Sequence, residues 1–331
     1  MANTQNEKKS KKKKKKSIGF KIFIGFILVL VALAVTAGGY FMGLLSKMEN
    51  IEINKDNLGI VDEDLEEYGN ANKITNIALF GVDTSDGSTG RSDSIMIATV
   101  DTDHNKLKLT SIMRDSYVYI EGYGNDKINH AYAYGGPELA IRTINENFGL
   151  NIEDFVSVNF SSLPKVINIL GGIDIEITED ELQYINKYID NINAKEGTSS
   201  PHISYAGVQH LDGTQALAYS RIRYTSGGDY KRTERQRTVL NALFNKLSST
   251  SIGSMNSLVN EILPYVQTSL NTTDILSLGT KILNIGGSLE QDRFPRDGYG
   301  QGEMINGVYY LTFDIETIKQ QMRDYIFNDI K

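Results

Sequence analysis

The chain has 331 residues, 40% of them apolar and 23% charged, proportions of a globular protein with room for one large domain or two modest ones. It contains no cysteine, which excludes disulfides, zinc fingers, iron–sulfur clusters and thiol nucleophiles. The first 50 residues carry ten of the 34 basic side chains and two of the 41 acidic ones. The rest therefore holds 24 basic against 39 acidic groups, too acidic for a generic nucleic-acid-binding surface.

Residues 1–21 form a lysine-rich tail that includes Lys8, Lys9 and Lys11 to Lys16. From Ile22 to Leu45 no charge interrupts the chain. As a helix rising 1.5 Å per residue this run reaches about 36 Å, against roughly 30 Å of hydrocarbon. The expectation is one uncleaved transmembrane helix over 22–45; the alternative is a signal peptide cut near Ala37. Positive charge stays cytoplasmic, so the tail lies inside and everything after residue 46 outside, a single-pass protein of the cell membrane. Residues 46–73 are polar and acidic and read as a stalk, and the body spans 74–331.

The body opens with segments rich in β-branched residues, TNIALFGVD, SIMIATVDT and KLKLTSIMRDSYV. Asp103, His104 and Asn105 make a hairpin turn between the last two. Pro137 follows Gly135 and Gly136 and starts a helix in which Ala140, Ile141, Ile144 and Phe148 recur at helical spacing. FVSVNF reads as a strand, Leu163 to Leu170 as a helix stopped by Gly171 and Gly172, and IDIEIT as an alternating strand. Thr233 to Leu247 is a further helix with Val239, Leu240, Leu243, Phe244 and Leu247 on its apolar face. Strands interleaved with helices predict an α/β fold, an α/β/α sandwich with helices on both faces of a central sheet. The order of elements after residue 248 does not follow from pattern alone.

Several catalytic signatures are missing. His104, His130, His202 and His210 are too scattered for a His-x-x-x-His pair, and neither a Gly-x-Ser-x-Gly elbow nor a Walker loop occurs. Ser162-Leu163-Pro164-Lys165 has the Ser-x-x-Lys spacing of penicillin-binding enzymes but no Lys-Thr-Gly follows it. Gly298-Tyr299-Gly300-Gln301-Gly302 lacks the strand and helix that frame a dinucleotide-binding loop.

Arginine is unevenly spread. Of eleven, none lies in the tail, and five (Arg221, Arg223, Arg232, Arg235 and Arg237) fall within seventeen residues. The planar guanidinium fork binds phosphate oxygens in pairs; the bland alternative is a salt-bridged surface involving Glu234. On a helix Arg232, Arg235 and Gln236 share one face. Upstream, Asp83 ends an apolar strand, a Gly-rich loop follows, and Asp93 begins the next strand, so both carboxylates can meet at one rim of a sheet. One or two carboxylates completed by phosphate oxygens and water is how Mg²⁺ is held, with Mn²⁺ the other candidate. Arg91 and Arg114 can add charge to phosphates brought there, and Asp115 is either part of the site or a turn former.

The ordered segments GVD, GRSDS, SIMRDSYV, DKINHAYAYGGPELAI, VNFSSLPKVINILGGIDI, GVQHLDGTQALAYSRIRY and GGDYKRTERQR resemble the LytR-CpsA-Psr family of cell-envelope glycopolymer ligases over about residues 74–250. The resemblance implies a central mixed sheet between helical layers and a transferase, with no nucleic-acid partner. It would take an anionic glycopolymer, such as wall teichoic acid or capsular polysaccharide, from an undecaprenyl-pyrophosphate carrier in the membrane. The polymer would pass to the C6 hydroxyl of N-acetylmuramic acid in peptidoglycan. Asp83 and Asp93 match the family's metal-binding aspartates. Arg91, Arg114, Arg221, Arg223, Arg232 and Gln236 match its pyrophosphate-contacting positions. The family's apolar tunnel for the polyprenyl chain points to Ile141, Ile144, Phe148, Val166, Ile167 and Leu170, although a core-facing helix gives the same stripe. His130 stands where the family more often has a small or amide residue and is given no catalytic role.

The chemistry asks for charge neutralisation and in-line positioning. Asp93, Arg114 and Asp115 are the expected catalytic residues, with Asp93 or Asp115 accepting the acceptor hydroxyl's proton. Two other readings remain open at this point: a hydrolase of the same carrier, and a non-enzymatic envelope sensor or transcription attenuator.

Overall fold

The computed structural model describes residues 49–331 apart from 62–64, 84–89, 160–161, 225–230, 247–260 and 286–288, and apart from Thr233, Arg237, Leu240, Asn241, Phe244, Asn245 and Ile262. The lysine tail and the uncharged run lie outside the described residues, among which no helix is long and apolar enough to cross a membrane. The first half of the chain contains β1 (Glu49–Asn50), β2 (Ile74–Asp83), β3 (Arg91–Asp101), β4 (Lys106–Ile112), β5 (Tyr117–Ile120), β6 (Gly124–Lys127), α1 (His130–Phe148), β7 (Asp154–Asn159) and α2 (Leu163–Ile169). There follow β8 (Ile173–Ile177), α3 (Glu179–Glu196), β9 (Gly207–Leu211), α4 (Gly213–Arg221), β10 (Val266–Thr268), α5 (Thr272–Asn284), β11 (Leu289–Phe294), β12 (Gln301–Ile305), β13 (Val308–Thr312) and α6 (Ile315–Phe327).

Seven strands form one mixed sheet in the order β1-β10-β7-β2-β3-β4-β11. β2, β3 and β4 make an antiparallel meander, while β7 runs parallel to β2 and β11 parallel to β4. Side chains alternate across the strands and feed two separate cores. Ile77, Met96, Ala98 and Val100 pack with Val166 of α2, Ile185 of α3, Leu217 of α4 and Ile282 of α5. Ala78, Phe80, Ile95 and Ile97 face the other way, against Ile144 and Phe148 of α1 and Met322 and Ile326 of α6. Burial on both faces is why β3 reads as a nearly continuous apolar run. Helices on both sides of a mixed sheet agree with the expected sandwich.

Local chemistry explains the joints. The β3–β4 hairpin turns at Asn105, whose φ of 53° is a left-handed conformation that Asn tolerates. Gly135 and Gly136 leave helical geometry inside α1, and Pro137 restarts it, its missing N–H costing nothing at a first turn. Both α3 and α4 begin with reciprocal capping boxes, Thr178 with Glu181 and Asp212 with Gln215.

One expectation changes. The 46–73 stalk is part of the domain from residue 49 onward: β1 pairs with β10, and Leu58 and Tyr68 are buried in the second core. Apolar residues spaced through this acidic segment suffice to dock it. IDIEIT forms the expected strand, β8, which among the described residues pairs with β9 in a two-stranded ribbon outside the main sheet. Its apolar-in, polar-out alternation suits a strand buried on one face. After residue 248, where pattern left the order open, β10 and β11 extend the sheet on both flanks.

α6 is held by a buried cation. Lys108 Nζ lies 3.0 Å from Asp101 Oδ2 and donates to the Tyr325 and Ile326 carbonyls at 2.8 and 3.1 Å, and Asp329 Oδ1 is 3.3 Å away. Lys106 also binds Asp329, so the last carbonyls of the helix and the chain beyond it are fastened to β4. Lys108→Ala takes the buried ammonium from Asp101, leaving it the His104 ring and the Asp103 and His104 backbone N–H groups, and should lower unfolding free energy by about 3 kcal/mol in urea titrations. A loss below about 1 kcal/mol would show that the clamp is replaceable. Burial pushes the Asp329 carboxyl up, but Lys106 and Lys108 outweigh it and hold the group below its ordinary value. Its stabilisation is therefore complete above the unfolded carboxylate value and fades as pH falls through the lower folded one. Asp329→Asn should flatten stability-versus-pH curves in that acid window.

Candidate active site

The end of β2, the start of β3, the turn after β4 and the start of α1 come together at one edge of the sheet. The pairing of β2 with β3 is irregular there: Gly81 faces Ser94 and Val82 faces Ser92, so Asp93 is the extra residue of a β-bulge. A bulge bends its strand and re-aims the side chain it carries. Asp93 Oδ1 receives Arg114 Nη1 at 2.8 Å and Asn129 Nδ2 at 3.1 Å. Asn129 is the N-cap residue of α1 but makes no side-chain capping bond, because its amide is turned to Asp93 instead.

Burial pushes the Asp93 carboxyl up; Arg114, Arg232 and Arg91 together outweigh it and hold the group below the ordinary carboxylate value. Arg232 is helical and 2% exposed, and Arg91 opens β3 in solvent. Asp115 is buried beside Arg114, with its Oδ1 2.7 Å from Lys127 Nζ and its Oδ2 3.4 Å from Arg114 Nε. Two acids and four cations from separate elements thus form one charged cluster.

Not every arginine of the sequence cluster serves it. Arg235 is buried in a structural pair, Nε to Glu181 Oε1 at 2.7 Å and Nη1 to the Ile222 carbonyl at 3.1 Å, which ties it to α3 and the end of α4. Gln236 is buried one turn beyond Arg232, Arg221 is half-buried at the end of α4, and Arg223 is exposed just after it. None of these three is among the described contacts of Asp93. Arg237 lies outside the described residues.

Asp83 ends β2 opposite Arg91, which brings its backbone to the same edge as Asp93, while its side chain lies outside the described residues. Among the described residues no group of three or more His, Asp or Glu side chains could hold a metal ion. A hard cation needs less, one or two carboxylates with phosphate oxygens and water. Buried Ser92 Oγ and Asn129 Oδ1 lack hydrogen-bond partners among the described residues, so the oxygen donors around Asp93 fit Mg²⁺ or Mn²⁺.

Asn129 and Lys127 are not legible as site residues, since Asn before a helix signals a cap and Lys127 ends the short polar segment Gly124–Lys127 with no motif around it. The six apolar candidates for a lipid tunnel separate: Ile141, Ile144 and Phe148 belong to one core, Val166, Ile167 and Leu170 to the other, with the sheet between. They are packing residues of two layers rather than the lining of one tunnel. His130 Nδ1 lies 2.8 Å from Asp126 and is not among the described contacts of Asp93.

Known proteins resemble the chain along most of its length. A protein of Oceanobacillus iheyensis named polyisoprenyl-teichoic acid–peptidoglycan teichoic acid transferase TagU is 31% identical over 306 residues, 88% of this chain and 89% of that one. The solved structure of TagT bound to LIIa-WTA superposes with a TM-score of 0.59 at 27% identity, covering 77% of this chain and 92% of that one. A LytR-CPS2A-psr family protein, YwtF (TagT), solved with bound octaprenyl pyrophosphate lipid, gives a TM-score of 0.56 at 26% identity, covering 77% and 91%. With residues 41–325 matching its pattern as well, the chain belongs to the LytR_cpsA_psr family.

Proposed function

We propose that this protein is a membrane-anchored phosphotransferase. It moves an anionic glycopolymer, such as wall teichoic acid or capsular polysaccharide, from an undecaprenyl-pyrophosphate carrier to the C6 hydroxyl of N-acetylmuramic acid in peptidoglycan. The observation that carries this reading is the nearly buried, ionised Asp93 in the field of Arg91, Arg114 and Arg232. Guanidinium groups converging from three elements suit a pyrophosphate, whose oxygens accept paired hydrogen bonds. The relatives named as transferases and the relative holding octaprenyl pyrophosphate support the same substrate class.

In this mechanism the acceptor hydroxyl oxygen attacks the sugar-linked phosphorus while its proton passes to water. The bond from that phosphorus to the bridging oxygen breaks, and polyprenyl phosphate leaves. Arg114, Arg232 and Arg91, with Arg221, Arg223 and Gln236 along the arginine segment, hold the pyrophosphate and stabilise charge on the departing phosphate. Asp93 and Asp83 would hold Mg²⁺ or Mn²⁺, which when bound neutralises phosphate charge and polarises the phosphorus centre. A carboxyl held below its ordinary value is a weak base, so Asp93 serves better as ligand and orienter than as proton acceptor. Asp115, between Arg114 and Lys127, positions the arginine that touches Asp93. The uncharged run at 22–45 behind the lysine tail supports a single-pass anchor with the tail cytoplasmic and the domain outside, beside the lipid carrier.

Full-length protein incubated with a polyprenyl-pyrophosphate-linked glycan and peptidoglycan should attach sugar phosphate to the acceptor only with Mg²⁺ or Mn²⁺. Asp93→Ala and Arg114→Ala should each lower the rate by about 10²–10³. Lipid phosphate released without attachment would make the protein a hydrolase, and undiminished transfer by Asp93→Ala would remove that residue from the chemistry. The pH dependence follows from the sign of the Asp93 shift. Because the ionised form persists below the ordinary carboxylate value of 3.8, the acid limb of kcat/KM should lie below it, and Arg114→Gln should move that limb upward. A wild-type limb near pH 6 would contradict this assignment.

A further inference from the structure

Beside the charged cluster lies a surface of tyrosines that the phosphoryl chemistry does not use. The chain has 18 Tyr and no Trp. Tyr119, Tyr123, Tyr134 and Tyr309 are 52, 55, 40 and 43% exposed. Tyr123, in the turn of the β5–β6 hairpin, stacks on Tyr134 of α1 with ring centroids 4.2 Å apart and planes 8° from parallel. Exposed aromatic rings held in a fixed orientation offer flat apolar faces without the sliding freedom of an aliphatic patch.

One carboxylate holds two of the rings, and Tyr123 is held through its stack on one of them. Asp126 Oδ2 accepts from the Tyr134 hydroxyl at 2.7 Å and lies 2.8 Å from His130 Nδ1, and Asp126 Oδ1 is 3.3 Å from the Tyr310 hydroxyl. Tyr310, on β13, meets Tyr117 of β5 edge to face at 4.8 Å. Asp126 holds the Tyr134 hydroxyl so firmly as an acceptor that its pKa is pushed up to about 12. The next residue, Lys127, sits over the Tyr310 ring and binds Asp115, which in turn lies beside Arg114 and so beside Asp93. A continuous chain of contacts therefore runs from the stacked rings to the candidate active site.

We infer that the surface of Tyr123, Tyr134 and Tyr310 around Asp126, with Tyr309 beside Lys127, is a saccharide platform that docks an uncharged glycan strand, the acceptor of the transfer reaction, beside Asp93. This rests on the transferase reading for the identity of the acceptor. A pyranose ring has an apolar C–H face that lies on an aromatic ring and a polar rim that bonds to carboxylate, imidazole and phenol groups. Such an alternation of rings and polar atoms differs from the aliphatic groove that a lipid chain or an amphipathic helix would need. Charge selects between the two glycans of the reaction. Burial pushes the Asp126 carboxyl up, but hydrogen bonds from His130, Tyr134 and the Lys127 backbone outweigh it, so the centre of the platform is anionic. With the Lys127 ammonium already paired to Asp115, that carboxylate disfavours an anionic glycopolymer and accepts the hydroxyl and amide donors of an uncharged strand. His130, which has no place in the phosphoryl chemistry, here orients Asp126.

The test is cosedimentation of the full-length protein, in nanodiscs, with insoluble peptidoglycan sacculi. Chitotetraose serves as a soluble N-acetylated competitor and polyglycerol phosphate as an anionic one. Tyr123→Ala/Tyr134→Ala should weaken sacculus binding on the order of tenfold, Tyr123→Phe should retain it, and chitotetraose but not polyglycerol phosphate should compete. The wild-type circular dichroism spectrum is required of each variant, and Tyr205→Ala, 65% exposed before β9 and outside the platform, should bind normally. Binding unchanged in the double variant, competition by polyglycerol phosphate, or tyrosine-dependent binding to lipid vesicles in place of sacculi would each overturn the assignment. Because the readout is binding, failure of glycan transfer with the tyrosine dependence intact would count against the transferase reading and leave the platform standing.

Discussion

A carboxylate can remain ionised away from bulk water only where cations surround it, and this constraint organises one end of the domain. Asp93 reaches its position because β3 carries one residue too many opposite Gly81 and Val82. Arg114 and Asn129 then meet a single oxygen of that side chain. Asn129 gives up the capping bond that its position would ordinarily favour, worth about 1 kcal/mol, to make that contact. Local stability is thus exchanged for a placed, charged group, a pattern expected at functional sites.

The rest of the fold keeps those groups still. A seven-stranded sheet packed on both faces offers little slack, since each face has its own helices and its own core. Three residues after Arg232, Arg235 is tied to α3 through Glu181 and to the end of α4 through the Ile222 carbonyl. At the far end of β4, Lys108 fastens α6, so the same strand runs from a structural clamp to the turn that bears Arg114. Preorganisation of this kind lets guanidinium groups stabilise charge without rearranging as it develops.

Much of this architecture is legible in the amino-acid sequence. Apolar runs with turn residues between them mark β2, β3 and β4, and glycine followed by proline marks the break in α1. An arginine cluster in an acidic body points to an anion, and the Asp93 and Arg114 motifs lie in contact. What sequence conceals has physical causes. A bulge depends on register between two strands and leaves no composition signal. Arg232 and Arg235 look equivalent on one helical face, yet only the second meets a buried glutamate from α3. Helical apolar stripes on α1 and α2 look like one tunnel until the sheet is seen to separate them. The dispersed apolar residues of 49–73 do not announce docking, because each alone resembles a stray residue in a polar linker.

The central claim is that the arginines around Asp93 exist to hold a pyrophosphate. The most direct measurement is calorimetric titration of the full-length protein with a short prenyl pyrophosphate in the presence of Mg²⁺, comparing wild type with Arg232→Ala. The account predicts binding by the wild type and affinity at least about tenfold weaker in a folded Arg232→Ala, the loss expected for one charge-assisted contact. Equal affinity in the two proteins, or no pyrophosphate binding by the wild type, would contradict it.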